Sequence, residues 1–260
     1  DDAHADLMIK SAQNNPAQPK ILTYSLTQNT ADYYITDLSY SLAGATFNLV
    51  SQQGSFAVES PLLGHFNVEN LIAALIAAEQ AGFDLQALVN FVPKLIGAPG
   101  RMQVIRDDER LFVVDYAHTP DGLENILDTA RQIAKKRIIT VFGCGGDRDR
   151  TKRPIMGRIA AEKSDVVIAT SDNPRTEDPE FILTEVEAGV IPALHGNFHE
   201  KITDRKKAIF RAVELAQKDD IVIIAGKGHE NYQILKDRRI HFDDKETAAA
   251  AIKMKLAGDK

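Results

Sequence analysis

Asp172-Asn173-Pro174-Arg175 and Gly226-Lys227-Gly228-His229-Glu230 each gather charged groups, turn-forming residues and hydrogen-bonding side chains within a few positions. Arg175 can pair with a ligand carboxylate through a forked donor, Asp172 or Asn173 can handle an amine, and Glu230 can accept from an ammonium. Loops offering both Arg and Glu suit a zwitterionic amino acid. Asn-Pro also makes an ordinary turn, so this loop alone leaves both readings open. A third stretch, Gly143 to Arg153, combines three glycines with four cations. Glycine lets backbone N–H groups approach an anion, and Arg148 follows the glycine cluster closely. The alternative is a surface turn with solvated charges. Neither this stretch nor Gly226-Lys227-Gly228 is a P-loop, since neither ends in Gly-Lys-Ser/Thr. Cys144 is expected to be a packed residue rather than a nucleophile.

A second set of residues could serve a nucleotide. Asn67 and Asn70, three apart at a helix start, share one face, where they could meet a purine or simply cap the helix. Asp115 at a strand end can accept from a ribose hydroxyl, and Arg101 could reach the same nucleotide. His118 either joins them or is a hydrogen-bonded loop residue.

The elements that must position these groups fall into two parts. In the first, Ile21 to Tyr24, Tyr33 to Thr36, Ala45 to Val50 and Ser55 to Val58 are rich in β-formers and separated by turns at Gly44 and Gly54, which predicts an antiparallel meander. Helices follow over His65 to Ala81 and Leu85 to Phe91. Gly97-Ala98-Pro99-Gly100 interrupts both periodicities and marks a boundary between domains 1–98 and 99–260. Beyond it, apolar runs at Leu111 to Val114, Ile138 to Phe142, Val166 to Ala169 and Ile221 to Ala225 read as strands buried on both faces of a parallel sheet. Helices are expected from Pro120, with Thr119 as N-cap, and over Pro154–Lys163, Pro179–Glu187 and Arg205–Gln217. The fold class is therefore α/β, with a doubly wound, Rossmann-like C-terminal domain. The charged loops all follow its strands, where such folds bind ligands.

Composition sets broad limits. Hydrophobic residues are 44% and charged residues 26% of the 260, with a formal net charge of -6. That balance gives no support for nucleic-acid or membrane binding. One cysteine permits no intrachain disulfide and no cysteine-based zinc site, which fits a cytoplasmic protein. No run reaches the roughly 18–20 apolar residues of a membrane span.

Taken in order, Leu63-Gly64-His65-Phe66-Asn67-Val68-Glu69-Asn70-Leu71, Gly100-Arg101-Met102, Asp115 to Asp121, Gly143 to Pro154, Asp172 to Arg175 and Gly226 to Glu230 resemble the Mur ligase family, and its diaminopimelate-adding type most of all. The resemblance implies an ATP-dependent ligase that adds meso-diaminopimelate to UDP-N-acetylmuramoyl-L-alanyl-D-glutamate through an acyl phosphate, in cytoplasmic peptidoglycan precursor synthesis. It implies that Arg148, Asp172, Asn173, Pro174, Arg175, Gly226 and Glu230 bind the amino acid. Asn67, Asn70, Arg101, Asp115 and His118 would bind ATP. It also implies that residues 1–98 are the end of a central ATPase domain, and that the P-loop, the Mg2+ ligands and the UDP-binding domain precede Asp1. On that reading the protein is a monomer, no metal ligand lies in this chain, and the 260 residues alone are inactive. A non-catalytic module binding an amino acid or nucleotide is the alternative. A dinucleotide-dependent oxidoreductase is disfavoured, because no Gly-x-Gly-x-x-Gly turn opens the first βα unit.

Overall fold

The computed structural model describes residues 1–107 and 109–258 and separates into two units, Asp1–Ile96 and Gly97–Lys260. The division falls two residues before the expected one. Gly100 explains part of this: a Cβ on it would lie 2.0 Å from His229 N, so the hinge glycine packs against a loop of the second unit.

The first unit begins with helix α1 (Ala5–Gln13), none of whose residues is buried. Strands β1 (Tyr24–Ser25), β2 (Tyr33–Ser41), β3 (Gly44–Ser51) and β4 (Gly54–Ser60) follow and pair in that order. β2, β3 and β4 form the predicted antiparallel meander, and β1 joins it in parallel. The strand expected over Ile21 to Tyr24 is realised only at Tyr24 and Ser25. Thr23 is diverted, its amide and hydroxyl both donating to Asp32 Oδ2 at 2.8 Å, bonds that compete with a backbone ladder. Helix α2 (His65–Gln80) buries Val68, Leu71, Ile72, Leu75 and Ile76, the 3–4 spacing that covers a sheet face. These side chains cluster with Tyr33, Ile35, Phe47, Leu49 and Val58. Helix α3 (Leu85–Phe91) starts where Asp84 accepts from Ala87 N at 2.8 Å.

In the second unit β5 (Gln103–Arg106), β6 (Leu111–Asp115), α4 (Pro120–Ile133), β7 (Ile138–Phe142), α5 (Lys152–Lys163), β8 (Val166–Ala169), α6 (Pro179–Val190), β9 (Phe198–Lys201), α7 (Arg205–Leu215) and β10 (Ile221–Ala225) alternate. A small hairpin, β11 (Tyr232–Ile234) and β12 (Arg239–His241), then leads to α8 (Asp244–Gly258). The main sheet has the order β5-β6-β10-β7-β8-β9. All its pairs are parallel except β5 with β6, an antiparallel edge. Connections from β6 through β9 advance in one direction, and the return to β10 reverses it. Right-handed crossovers therefore place α7 on the face opposite α4, α5 and α6.

The period of two in each strand divides the core. Phe112, Val114, Ile139, Val141, Val222 and Ile224 pack with Ala208, Ile209 and Ala212 of α7 and Ala248 and Ile252 of α8. Every residue of β6, β7, β8 and β10 is buried, which is why the sequence shows these strands as uninterrupted apolar runs. Thr119 caps α4, its hydroxyl accepting from Gly122 N at 3.2 Å, with Pro120 in the first turn.

Candidate functional site at the carboxyl ends of the strands

β6, β10, β7 and β8 are neighbours, so the loops that follow them lie side by side at one end of the sheet. β10 is last in sequence but enters between β6 and β7, and strand-order reversals of this kind create the ligand crevice in open α/β sheets.

The centre of the cluster is a lysine. Lys227 is fully buried, and its Nζ lies 3.3 Å from Asp172 Oδ1, 3.1 Å from Asn173 Oδ1 and 3.2 Å from Glu230 Oε2. Asn173 Nδ2 donates to the same Glu230 oxygen at 2.9 Å. Ile234 N donates to Asn173 Oδ1 at 2.9 Å, and Gln233 Nε2 to Asp172 O at 2.6 Å, so β11 braces the loop after β8. Burial opposes the charge of Glu230, but the Asn173 hydrogen bond and the Lys227 cation hold its carboxyl below the usual range. Beside Gly226, Arg205 and Asp244 form a fully buried pair: Nε donates to Oδ1 at 2.8 Å and Nη2 to Oδ2 at 2.7 Å. Arg205 Nη2 also donates to Ala225 O at 2.9 Å.

Two guanidiniums on neighbouring loops have no carboxylate partner among the described residues. Arg175, at φ 52°, donates from Nη1 to Gly146 O at 2.8 Å and to Asn173 O at 3.4 Å. Arg148 is exposed and donates to Asp147 O at 2.9 Å. Two of the other cations of the glycine-rich loop are paired with carboxylates, and the third is held by a backbone carbonyl. Arg153 is fully buried against Glu177 and Glu185, Arg150 pairs with Glu185, and Lys152 donates to His118 O at 2.7 Å. Two of the loop's glycines serve close packing. A Cβ at Gly146 would lie 1.9 Å from Pro174 O and one at Gly143 2.2 Å from Thr170 O, while Gly146 N donates to Asn173 O at 2.9 Å. Pro174 is accordingly buried, holding one loop on the other.

The nucleotide candidates of this unit gather around Tyr116. The Arg101 guanidinium lies 5.0 Å from its ring centre, and the His118 and His229 rings lie 4.5 and 5.1 Å from it. His118 Nδ1 is 2.8 Å from Tyr116 O. Asp115 is buried, accepting from Met102 N at 2.7 Å and Ala117 N at 2.8 Å. Burial raises its pKa above the usual range despite those bonds and the nearby Arg101. His229 and Glu230 are adjacent in sequence, so one loop reaches both clusters. Asn67 and Asn70 belong to the first unit, where Asn67 Nδ2 donates to Leu63 O at 2.6 Å and Asn70 is exposed on the first turns of α2.

An open pocket of about 690 Å³ is lined by Asp147, Arg148, Asp149, Arg150, Glu177, Asp178 and Phe181. It shares only Arg148 with the charged cluster. The convergence of charged groups, rather than this open volume, identifies the chemistry. Among the described residues no group of three or more His, Cys, Asp or Glu could hold a metal ion. Sequence reasoning missed Lys227, Arg205, Gln233 and Tyr116. A lysine between two glycines immediately after an apolar strand was the available signal for the first.

Comparison with known proteins identifies the family of both parts of the chain. The family model described as "Mur ligase, glutamate ligase domain" matches residues 100–228, and the "Mur ligase middle domain" matches residues 1–78. The UDP-N-acetylmuramoyl-L-alanyl-D-glutamate--2,6-diaminopimelate ligase of Trichormus variabilis is 47% identical over 97% of this chain and 50% of its own length. That of Synechocystis is 49% identical over 90% of this chain and 46% of its own length. A solved structure of a ligase of the same name is 70% identical, covers 98% of this chain and 52% of that one, and has a TM-score of 0.74. The chain thus spans about half the length of the relatives it matches. With both matched domains in sequence order and these identities, the chain belongs to the Mur ligase family.

Proposed function

We propose that the second unit holds the amino-acid acceptor of an ATP-dependent ligase that joins meso-diaminopimelate to UDP-N-acetylmuramoyl-L-alanyl-D-glutamate in the cytoplasm. The observation that carries this reading is that Arg148 and Arg175 have no carboxylate partner among the described residues, while Arg175 donates to Asn173 O and the Asn173 side chain holds Glu230. Diaminopimelate has a second carboxylate at its far end, which lysine lacks. A site built to bind it leaves Arg175 unpaired with lysine, a cost of several kcal/mol, about a hundredfold or more in discrimination. The names of the similar ligases support the same substrates.

In this reading Arg148, Arg175, Asp172, Asn173, Gly226 and Glu230 orient the acceptor so that its amine meets the activated carboxylate of the other substrate. Positioning of this kind accounts for much of the rate of a group transfer. ATP supplies the activating phosphoryl group. Arg101, Tyr116, His118 and Asp115 offer its base and ribose a stacking surface and an acceptor. Asn67 and Asn70, which the family resemblance also implies for ATP, lie in the first unit. These 260 residues contain no Gly-Lys-Ser/Thr loop for its phosphates. No described acidic cluster suits Mg2+, so no step is assigned to that ion here.

The test is phosphate release by the full-length protein with ATP, the UDP-linked dipeptide and either diaminopimelate or lysine. Turnover with diaminopimelate and not lysine is expected, whereas equal use of both would refute the acceptor assignment. A binding module without ligase activity would instead bind diaminopimelate in calorimetry and release no phosphate.

A further inference from the structure

Lys227 is the one lysine fully buried among the described residues, and nothing in the acceptor assignment above gives it a task. Its Nζ faces three oxygens from three side chains, Asp172, Asn173 and Glu230, at 3.1–3.3 Å. An ammonium has three donors to match them, which a planar guanidinium would not do. The Tyr232 ring lies 5.5 Å from the same nitrogen. Lys227 and Asn173 both donate to Glu230 Oε2, so the orientation of that carboxylate is fixed from two sides.

We propose that Lys227 is the positioning residue of the acceptor site: it holds Glu230 and Asn173 in the geometry that receives the acceptor's amine and balances the charge of Asp172. The inference rests on the acceptor reading given above and deepens it. Without this cation, Asp172 and Glu230 would be two carboxylates in one largely buried cluster. Like charges so placed favour protonation of one of them. Glu230 would then lose its orientation together with part of its attraction for an ammonium.

The experiment compares full-length wild-type, Lys227→Met, Glu230→Gln and double-variant enzymes. Lys227→Met should raise the KM for diaminopimelate by about 30-fold or more, with the KM for ATP within about twofold. In the Glu230→Gln background the same change should add less than about tenfold, because much of the lysine's effect passes through Glu230. An unchanged diaminopimelate KM in folded Lys227→Met, or equal factors in the two backgrounds, would overturn the proposal. Should Lys227→Met fail to fold, the wild-type enzyme decides by 15N NMR. A solvent-protected lysine Nζ resonance should shift on adding diaminopimelate but not ATP, and its failure to shift would count against the role. Wild-type turnover independent of diaminopimelate would instead sink the acceptor reading itself.

Discussion

Arg148 and Arg175, from different loops, converge over Gly145: a methyl group placed there would lie 2.8 Å from Arg175 Nη1 and 3.8 Å from Arg148 Cγ. Among the described residues both are anchored by backbone carbonyls, whereas Arg150 and Arg153 from the loop of Arg148 are paired with Glu185 and Glu177. Cations paired with carboxylates are thus distinct from Arg148 and Arg175, the two proposed for the ligand.

Arg175→Ala in the full-length protein should lower kcat/KM for diaminopimelate by about 100-fold or more, the loss of a charge-assisted pair. Lysine should remain a poor substrate, so the ratio between the two amino acids falls. If diaminopimelate use barely changes while lysine stays excluded, Arg175 does not read the far carboxylate.

Gly146→Ala should separate the two loops, since its Cβ would fall 1.9 Å from Pro174 O, a backbone atom that cannot swing away. A loss of about 2 kcal/mol or more in urea unfolding is expected, accompanied by weaker diaminopimelate binding. Wild-type stability and affinity in this variant would show that the loops yield at little cost.

Hydrogen bonds from Arg153 hold Glu177 down to a pKa of about 2. A carboxyl depressed in the folded state contributes stability above its ordinary pKa of 4.5 and loses it as pH falls toward 2. The Tm advantage of wild type over Glu177→Gln should therefore be full at pH 6 and shrink progressively below about pH 4.5. A constant difference from pH 6 to pH 3 would mean that Glu177 is not depressed.

Burial pushes the Cys144 thiol up to about 12, with its Sγ 3.7 Å from Met156 Sδ. Ellman's reagent at pH 8 should find no reactive thiol in the native chain and one after unfolding in guanidinium. Native reaction at the rate of a free thiol would contradict this packing.

The sequence revealed elements in proportion to how completely they are buried. β7, β8 and β10 are legible to the residue because both faces are covered. β5 and β9 are edge strands with partly exposed polar residues, Gln103, Arg106, His199, Glu200 and Lys201, and no apolar run announces them. Helix α8 buries Asp244, Ala248, Ala251 and Ile252, so it lacks the large apolar stripe that marks α4. The proposed acceptor residues stand out in the sequence as motifs, but nothing in it marks Lys227 as the point where they meet. Its partners Asp172 and Asn173 lie 55 and 54 positions away, and only the fold shows that they meet.

The insertion of β10 between β6 and β7 also dictates an order of events during folding. Ile221 pairs with Leu111 and Ile138, contacts that cannot form until the later strand arrives and that close long loops of chain. The loop carrying Lys227 and Glu230 follows directly. A nascent chain that has emerged only through β9 therefore lacks α7, α8 and the strand that joins β6 to β7, and the proposed acceptor pocket can appear only with the closing of the sheet.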